Sequence, residues 1–162
     1  MVRARLWYGP AGHELGLDRF ARYLRGPLGC ALTADPRGRT NAPLLLRDPL
    51  PATVELNRRP EVSTEVGALI ARLPADAPAA LAERLAACTA RLEFSDIPTQ
   101  TAFTPGSTLA RSVLLPLAIA VDGVVEEVET GRLHFRAPPP PQGAGSAFMR
   151  ALSRILGALR RR

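Results

Sequence analysis

The chain has 162 residues, of which 46% are hydrophobic and 22% charged, so it is long enough and apolar enough for one packed domain with appendages. Its net charge of +6 is concentrated at one end: residues 146–162 hold five arginines and no acid, whereas residues 1–145 hold 16 arginines against 15 acids. This distribution indicates a charged tail rather than a charged domain. The longest apolar run, Val113–Val121, is far shorter than the ~18–20 residues that cross a membrane.

Several features of the sequence are typical of a bacterial cytoplasmic protein. The start "MVRARLWYGPAG" lacks the apolar run of a signal peptide. Every basic residue is arginine, which indicates a GC-rich coding sequence. Cys30 and Cys88 form no CxxC motif, so we expect two buried free thiols, with a single disulfide as the alternative.

The first third of the chain carries strand and helix patterns in turn. "RARLWYG" (Arg3–Gly9) alternates apolar and polar residues and predicts a strand. "LGLDRFARYLRG" has apolar residues at helical spacing and predicts a helix that ends at Gly26-Pro27. Three further strands are predicted by "LGCALTAD", "APLLLRD" and "ATVELNRR", and we expect them to pair as a meander.

The middle of the chain predicts a helical hairpin. "STEVGALIARL" offers Ser63 or Thr64 as the N-cap of its first helix. "PAALAERLAACTARL" predicts the second helix, with Pro78 near its start. "RLEFSDIP" then returns to a strand pattern.

The last part of the body predicts one more helix and a hairpin. "PGSTLARSVLLPLAIAVDG" predicts a helix capped by Ser107 or Thr108, in which Pro116 introduces a kink or removes a hydrogen bond. "VVEEVETGRLHF" predicts a β-hairpin that turns at Thr130-Gly131.

These elements are mixed without strict alternation, which predicts an α+β fold with a mixed or antiparallel sheet and three to four helices. The domain is expected to span residues 1–136. Residues 137–146 form a Pro/Gly-rich linker, and residues 147–162 are expected to form a basic amphipathic helix.

Histidine and cysteine are too sparse to indicate a metal site or a catalytic pair. His13-Glu14 begins like the HExxH motif of zinc proteases, but position 17 is leucine. His134 lies in a predicted strand, where an exposed histidine is the ordinary case. We therefore predict no metal and no cofactor, while a Cys–His pair formed by Cys30 or Cys88 in the folded chain stays open.

Three carboxylates in the last predicted hairpin are the remaining candidates for acid–base chemistry. Glu126, Glu127 and Glu129 lie in one predicted strand, and Glu127 and Glu129 would share a face. A solvated face is the commoner cause of such a run, so we predict that these side chains are exposed and that no residue is catalytic.

The C-terminal tail carries the clearest pattern in the sequence. "SAFMRALSRILGALRRR" has apolar residues spaced by four, three and four, which is typical of a coiled-coil or groove-binding seam with arginines opposite. A helix of this length is marginal in isolation, so it needs a surface to dock on. That surface could belong to its own body, a second copy, another protein or an anionic membrane. The candidate partner-binding residues are Phe148, Leu152, Ile155, Leu156, Leu159, Arg150, Arg154, Arg160, Arg161 and Arg162.

Two stretches resemble small bacterial α+β proteins of the immunity type, which are encoded beside secreted polymorphic toxins. They are "RLWYGPAGHELGLDRFARYLRG" and "LARSVLLPLAIAVDGVVEEVETGRLHF", together about a third of the chain. Gly123-Val124-Val125 match the start of the family's "GVV-D-x-x-x-G" pattern, and Gly131 lies one residue beyond the place of its last glycine, whereas Glu126 and Glu127 stand where an aspartate is common. The resemblance implies a binder that occludes a cognate toxin, with no catalytic residues to transfer.

The function that these patterns favour is a non-catalytic protein-binding module, either an immunity-like inhibitor or an accessory subunit. The partner is expected to be another protein or a second copy of the chain. The alternative is an Arg-rich tail that tethers the domain to an anionic membrane or to nucleic acid. A small hydrolase or transferase is the third and least favoured class.

Overall fold

An antiparallel sheet of seven strands organises the residues that the computed structural model describes, which are 1–9, 16–33, 43–96 and 110–136. In chain order the strands are β1 (Val2–Tyr8), β2 (Ala31–Thr33), β3 (Leu44–Asp48), β4 (Ala52–Asn57), β5 (Ala90–Ser95), β6 (Val124–Glu127) and β7 (Leu133–Phe135). Their order in the sheet is β2-β3-β4-β5-β1-β6-β7, and every neighbouring pair is antiparallel. The first strand of the chain therefore lies inside the sheet, paired with β5 on one side and β6 on the other.

Helices cover both faces of this sheet. Within the described residues they are α1 (Leu17–Arg25), α2 (Glu61–Ala71), α3 (Ala79–Ala86) and α4 (Leu115–Ala120), and a π-helical turn at Ala110–Leu114 leads into the last. This arrangement confirms the predicted α+β class, the predicted β2–β3–β4 meander and the α2–α3 hairpin. The predicted tail helix lies outside the described residues.

The larger hydrophobic cluster fills the space between the sheet and the pair α1 and α4. Alternation along β1 points Ala4, Leu6 and Tyr8 into this layer, as expected for a strand with two different faces. Phe20 of α1 packs edge-on against Tyr8, with their ring centroids 5.3 Å apart. Leu117 of α4 belongs to the same cluster.

The second cluster lies on the opposite face, under the α2–α3 hairpin. It contains Trp7 of β1 and Val124 of β6, packed against Val62, Val66 and Leu69 of α2 together with Leu81, Leu85 and Cys88 from the α3 region. The same alternation that directs Leu6 to one layer thus directs Trp7 to the other. The α2–α3 hairpin stays in place because it buries this small second core.

The first turn of α2 differs from the sequence expectation. The helix begins at Glu61 after Pro60, whose φ of −55° is already helical, and no side chain caps it. Ser63 and Thr64 are therefore inside the helix, and their prediction as N-caps is wrong. Proline fixes φ near the helical value and has no N–H to satisfy, so Pro60 begins the helix earlier than the hydroxyl residues would.

The irregularity expected at Pro116 takes the form of a change in helix type. Proline cannot donate the α-helical hydrogen bond, and its ring collides with the carbonyl four residues earlier. The wider π-helical turn at Ala110–Leu114 comes directly before Leu115-Pro116. The change in hydrogen-bond pattern therefore falls in the turn whose carbonyls Pro116 cannot bond, because proline has no N–H. The proposed caps Ser107 and Thr108 lie outside the described residues.

No helix in the described ranges has both the length and the apolar character that crossing a membrane demands.

Candidate binding site

Trp7, the only tryptophan of the chain, lies fully buried against charged side chains under the α2–α3 hairpin. Its indole Nε1 donates a hydrogen bond to Glu126 Oε2 at 2.9 Å. The guanidinium carbons of Arg91 and Arg5 lie 4.9 Å and 5.9 Å from the ring centroid. Both distances fall within the ~6 Å over which a cation is attracted to an aromatic face.

Strand register explains why these side chains meet. Arg5 of β1 lies directly opposite Glu93 of β5 and Glu126 of β6, so the three alternate in charge across neighbouring strands. Arg91, two residues before Glu93 on β5, pairs with Glu93 at 2.7 Å and with Glu65 of α2. We call Arg5, Trp7, Glu65, Arg91, Glu93 and Glu126 the Trp7 cluster; it ties the helical hairpin to the sheet.

Charge within the Trp7 cluster is not fully balanced. Three carboxylates face two guanidinium groups, which leaves one negative charge in excess. Arg5 contacts Glu126 at 3.4 Å and Glu93 at 3.7 Å, longer than the ~2.7–2.9 Å of a good charge-assisted hydrogen bond. The Arg5 Nε is buried without a hydrogen-bond partner in the described structure. Arg5 is thus shared between two carboxylates and compensates each of them incompletely.

A cavity of about 590 Å³ lies beside this cluster, between the α2–α3 loop and the β6–β7 hairpin. Glu126, whose side chain is 6% exposed, is the buried acidic residue of its lining. Glu126 Oε2 accepts from both Trp7 and Arg5, whereas Oε1 accepts no hydrogen bond from the described residues. The exposed side chains Arg72, Asp76 and Arg132 stand around the opening.

The three glutamates of the hairpin are separated, which corrects the sequence expectation. β6 ends at Glu127, and Gly131, with φ of +69°, completes the turn that follows. Glu129 lies beyond the strand and pairs with Arg3 at 3.5 Å, so the expectation that it shares a strand face with Glu127 is wrong. Glu126 and Glu127 are also buried rather than solvated.

Glu127 instead forms its own small hydrogen-bonded group with the strand it faces. Its Oε1 lies 2.6 Å from His134 Nε2, and its Oε2 accepts from Thr130 Oγ1 at 2.8 Å. His134 is therefore engaged with a carboxylate across the hairpin. Neither cysteine thiol joins this group within the described residues, since Cys30 and Cys88 belong to the two core clusters.

Both thiols are free and buried, as the sequence predicts. Cys30 belongs to the cluster on the α1 side of the sheet and Cys88 to the cluster under the hairpin, so the sheet separates them and no disulfide joins them. Burial raises the pKa of Cys88 to about 12 and raises the pKa of Cys30 as well, with Asp48 adding to the second effect. A thiol that stays protonated is a poor nucleophile, so neither is suited to catalysis.

Among the described helices, α4 presents two large apolar side chains to solvent. Leu115 is 38% and Ile119 54% exposed, and they are four residues apart on α4, on one face. We call this pair the α4 ridge. Arg84 pairs with Asp122 just after α4 at 2.8 Å and donates to the backbone carbonyl of Arg136 at 2.5 Å. Arg136, the last described residue before the predicted linker, therefore lies close to the end of α4.

The ten tail residues predicted to bind a partner, from Phe148 to Arg162, lie outside the described residues, as does His13. In the described ranges, His, Cys, Asp and Glu side chains form no group of three that could hold a metal ion. Sequence reasoning missed the Trp7 cluster. Its signal was present in "RARLW" and "ARLEF", where charged residues alternate with core residues, but such alternation is equally typical of a solvated strand face.

Comparison of the chain with protein-family models, with characterised proteins and with solved structures finds no match. The resemblance to immunity-type proteins therefore stays a prediction carried by the residues quoted above.

Proposed function

We propose that this chain is a non-catalytic protein-binding module that acts in a bacterial cytoplasm as an immunity-like inhibitor or an accessory subunit. The observation that carries the proposal is the internal pairing of most of the buried ionisable groups in the described residues. Arg91 is held by Glu65 and Glu93, Glu127 is held by His134 and Thr130, and the thiols stay protonated. Groups engaged in this way stabilise a fold and are poorly placed to attack or protonate a substrate.

The α4 ridge supports a binding role when it is considered with the tail. Two exposed apolar side chains are by themselves an ordinary feature of a protein surface. The linker, however, starts beside Asp122 at the end of α4, through the contacts of Arg84. A partner that covers both the ridge and the apolar seam predicted for residues 147–162 would bury more apolar surface than the ridge offers alone.

Capture of a partner by ridge and control variants tests this proposal. The full chain is compared with a Leu115→Asp/Ile119→Asp variant, with a chain ending at residue 136, and with Ala68→Asp/Ala71→Asp as a matched control. The control places the same two charges on exposed positions of α2, away from the ridge. We expect the wild type and the control to retain one host protein that the ridge variant and the shortened chain lose.

The result that contradicts the proposal is equal capture by all four proteins, or no retained partner under conditions in which each variant is folded by circular dichroism. Loss of capture in the shortened chain alone would confine binding to the tail and remove the ridge from the interface.

A further inference from the structure

We propose that the cavity between the α2–α3 loop and the β6–β7 hairpin binds a small zwitterion with an apolar body, of the class of an apolar dipeptide. This inference goes beyond protein binding and requires no partner protein. It assigns a recognition role to Glu126, in addition to its contacts with Trp7 and Arg5.

The acidic end of the site attracts an ammonium group. Glu126 is buried, its charge is only partly compensated by the long contact to Arg5, and its Oε1 accepts no hydrogen bond from the described residues. The Trp7 cluster as a whole carries one negative charge in excess. Arg5 Nε is the only buried side-chain N or O atom of the described residues that lacks a partner, so solvent in the cavity reaches Glu126 Oε1. A ligand ammonium can replace that solvent and supply both a charge and hydrogen bonds.

The exposed arginines of the cavity favour a negative charge on the same ligand. Arg72 and Arg132 are exposed members of the lining, and Asp76 is its only exposed acidic member. A ligand with a positive charge alone would place its remaining surface near two guanidinium groups. A ligand with a carboxylate at its other end instead pairs with them, so the lining residues select a molecule of both charges.

Apolar side chains also line the cavity. They are those of Leu69, Leu73, Leu81 and Leu133. The volume of about 590 Å³ falls in the range of roughly 300–1,000 Å³ that small-ligand sites occupy. A single amino acid would leave much of this space unfilled, so a dipeptide with two aliphatic side chains is the better match.

Trp7 supplies the readout, because it is the only tryptophan and its indole is bonded to Glu126. Leucyl-leucine is titrated into the full-length chain while tryptophan emission is recorded. N-acetyl-leucyl-leucine, which lacks the ammonium group, and leucyl-leucine amide, which lacks the carboxylate, are titrated as matched ligands. We expect a saturable change with leucyl-leucine and at least about 10-fold weaker binding of either derivative.

Variants of the protein test whether Glu126, Arg72 and Arg132 bind the dipeptide. Glu126→Gln removes the charge but keeps an acceptor for the indole, and Glu129→Gln removes an exposed carboxylate outside the cavity lining. We expect Glu126→Gln and Arg72→Ala/Arg132→Ala to weaken binding by about 10-fold or more, and Glu129→Gln to leave it unchanged. Absence of saturable binding to the wild type, or equal binding of the acetylated dipeptide, overturns the proposal whether or not each variant folds. Partner capture is measured separately, so its failure leaves this result intact.

Discussion

At the scale of single residues, Arg5 and Arg91 lie near the α2–α3 hairpin, and each contacts the Trp7 ring and at least one glutamate. Arg91 is 5% exposed and contacts the Trp7 ring as well as Glu65 and Glu93. Removing the buried member of an ion pair costs much free energy, because its partner is left without a counter-charge. Removing an exposed member costs much less. The two ends of one ion pair should therefore respond differently to mutation.

The pair Arg91 and Glu65 allows this difference to be measured. Arg91→Ala leaves Glu93 without its closest cation and removes the cover of the indole, so we expect a loss of about 3–5 kcal/mol in the free energy of unfolding. The side chain of Glu65 is 40% exposed, so we expect Glu65→Gln to lower the free energy of unfolding by at most about 1 kcal/mol. Urea unfolding monitored by Trp7 emission gives both values, and equal losses would show that the pair is not buried as described.

The Cys88 thiol makes the free energy of unfolding fall as the pH becomes alkaline. Its pKa is raised to about 12 by burial, so the folded chain keeps the proton after the unfolded chain has lost it. The contribution is complete below the thiol's unfolded pKa, near 9, and is lost as the pH rises toward 12. The slope is at most about 1.4 kcal/mol per pH unit for one proton.

We expect the wild-type free energy of unfolding to fall across this window and Cys88→Ala to show a shallower fall. Tyr8, whose pKa is raised by burial, still contributes in the variant. Denaturation curves collected from about pH 8 to pH 11 measure both slopes. Parallel curves for the two proteins would mean that the Cys88 thiol titrates alike in both states.

At the scale of elements, the sequence predicts most strands and helices because each carries its own hydrophobic period. The Trp7 cluster could not be predicted in this way, since it depends on β1 pairing with β5 and β6, whose partner residues lie about 80 to 120 positions away. The same reason explains the error over Glu126 and Glu127. Their burial comes from neighbours on other strands, and local pattern alone predicts a solvated face.

Two glycines show how the surroundings of an element decide the effect of one methyl group. Gly67 lies inside α2, and a Cβ added there would have open space within 4 Å, so Gly67→Ala should raise the free energy of unfolding by about 0.5–1 kcal/mol. Gly123 precedes β6, and a Cβ there would lie 2.5 Å from the backbone oxygen of Trp7. Gly123→Ala should therefore cost about 1–3 kcal/mol.

Thermal unfolding of both variants beside the wild type checks the opposite signs. If both substitutions stabilise the chain, β6 can shift away from β1 without loss, and the close approach at Gly123 is not needed for the Trp7 cluster. If both destabilise it, α2 packs more tightly around Gly67 than its open surroundings indicate.

At the scale of the whole molecule, the positive charge is concentrated in the C-terminal tail. The body is nearly neutral and pairs most of its buried ions internally, whereas residues 146–162 carry five arginines without an acid. The same residues carry the apolar seam that the sequence predicts. The tail can therefore contribute either an apolar seam or a positive charge to binding, and the two contributions respond oppositely to salt.

Salt and matched tail variants separate protein binding from an electrostatic tether. At about 0.1 M salt, charges interact over roughly 10 Å, and higher salt screens exposed arginines far more than apolar contacts. If the seam binds a protein partner, capture should persist when salt is raised several-fold, should survive replacement of all five tail arginines by glutamine, and should be lost in Leu152→Asp/Leu156→Asp. Pull-down at two salt concentrations measures this directly, with anionic vesicles and duplex DNA as parallel baits.

The opposite pattern, in which the glutamine variant loses binding to vesicles or DNA and the aspartate variant keeps it, would identify the tail as a tether. The reason is that only a tether takes most of its binding free energy from phosphate-bearing surfaces, through the release of their counterions.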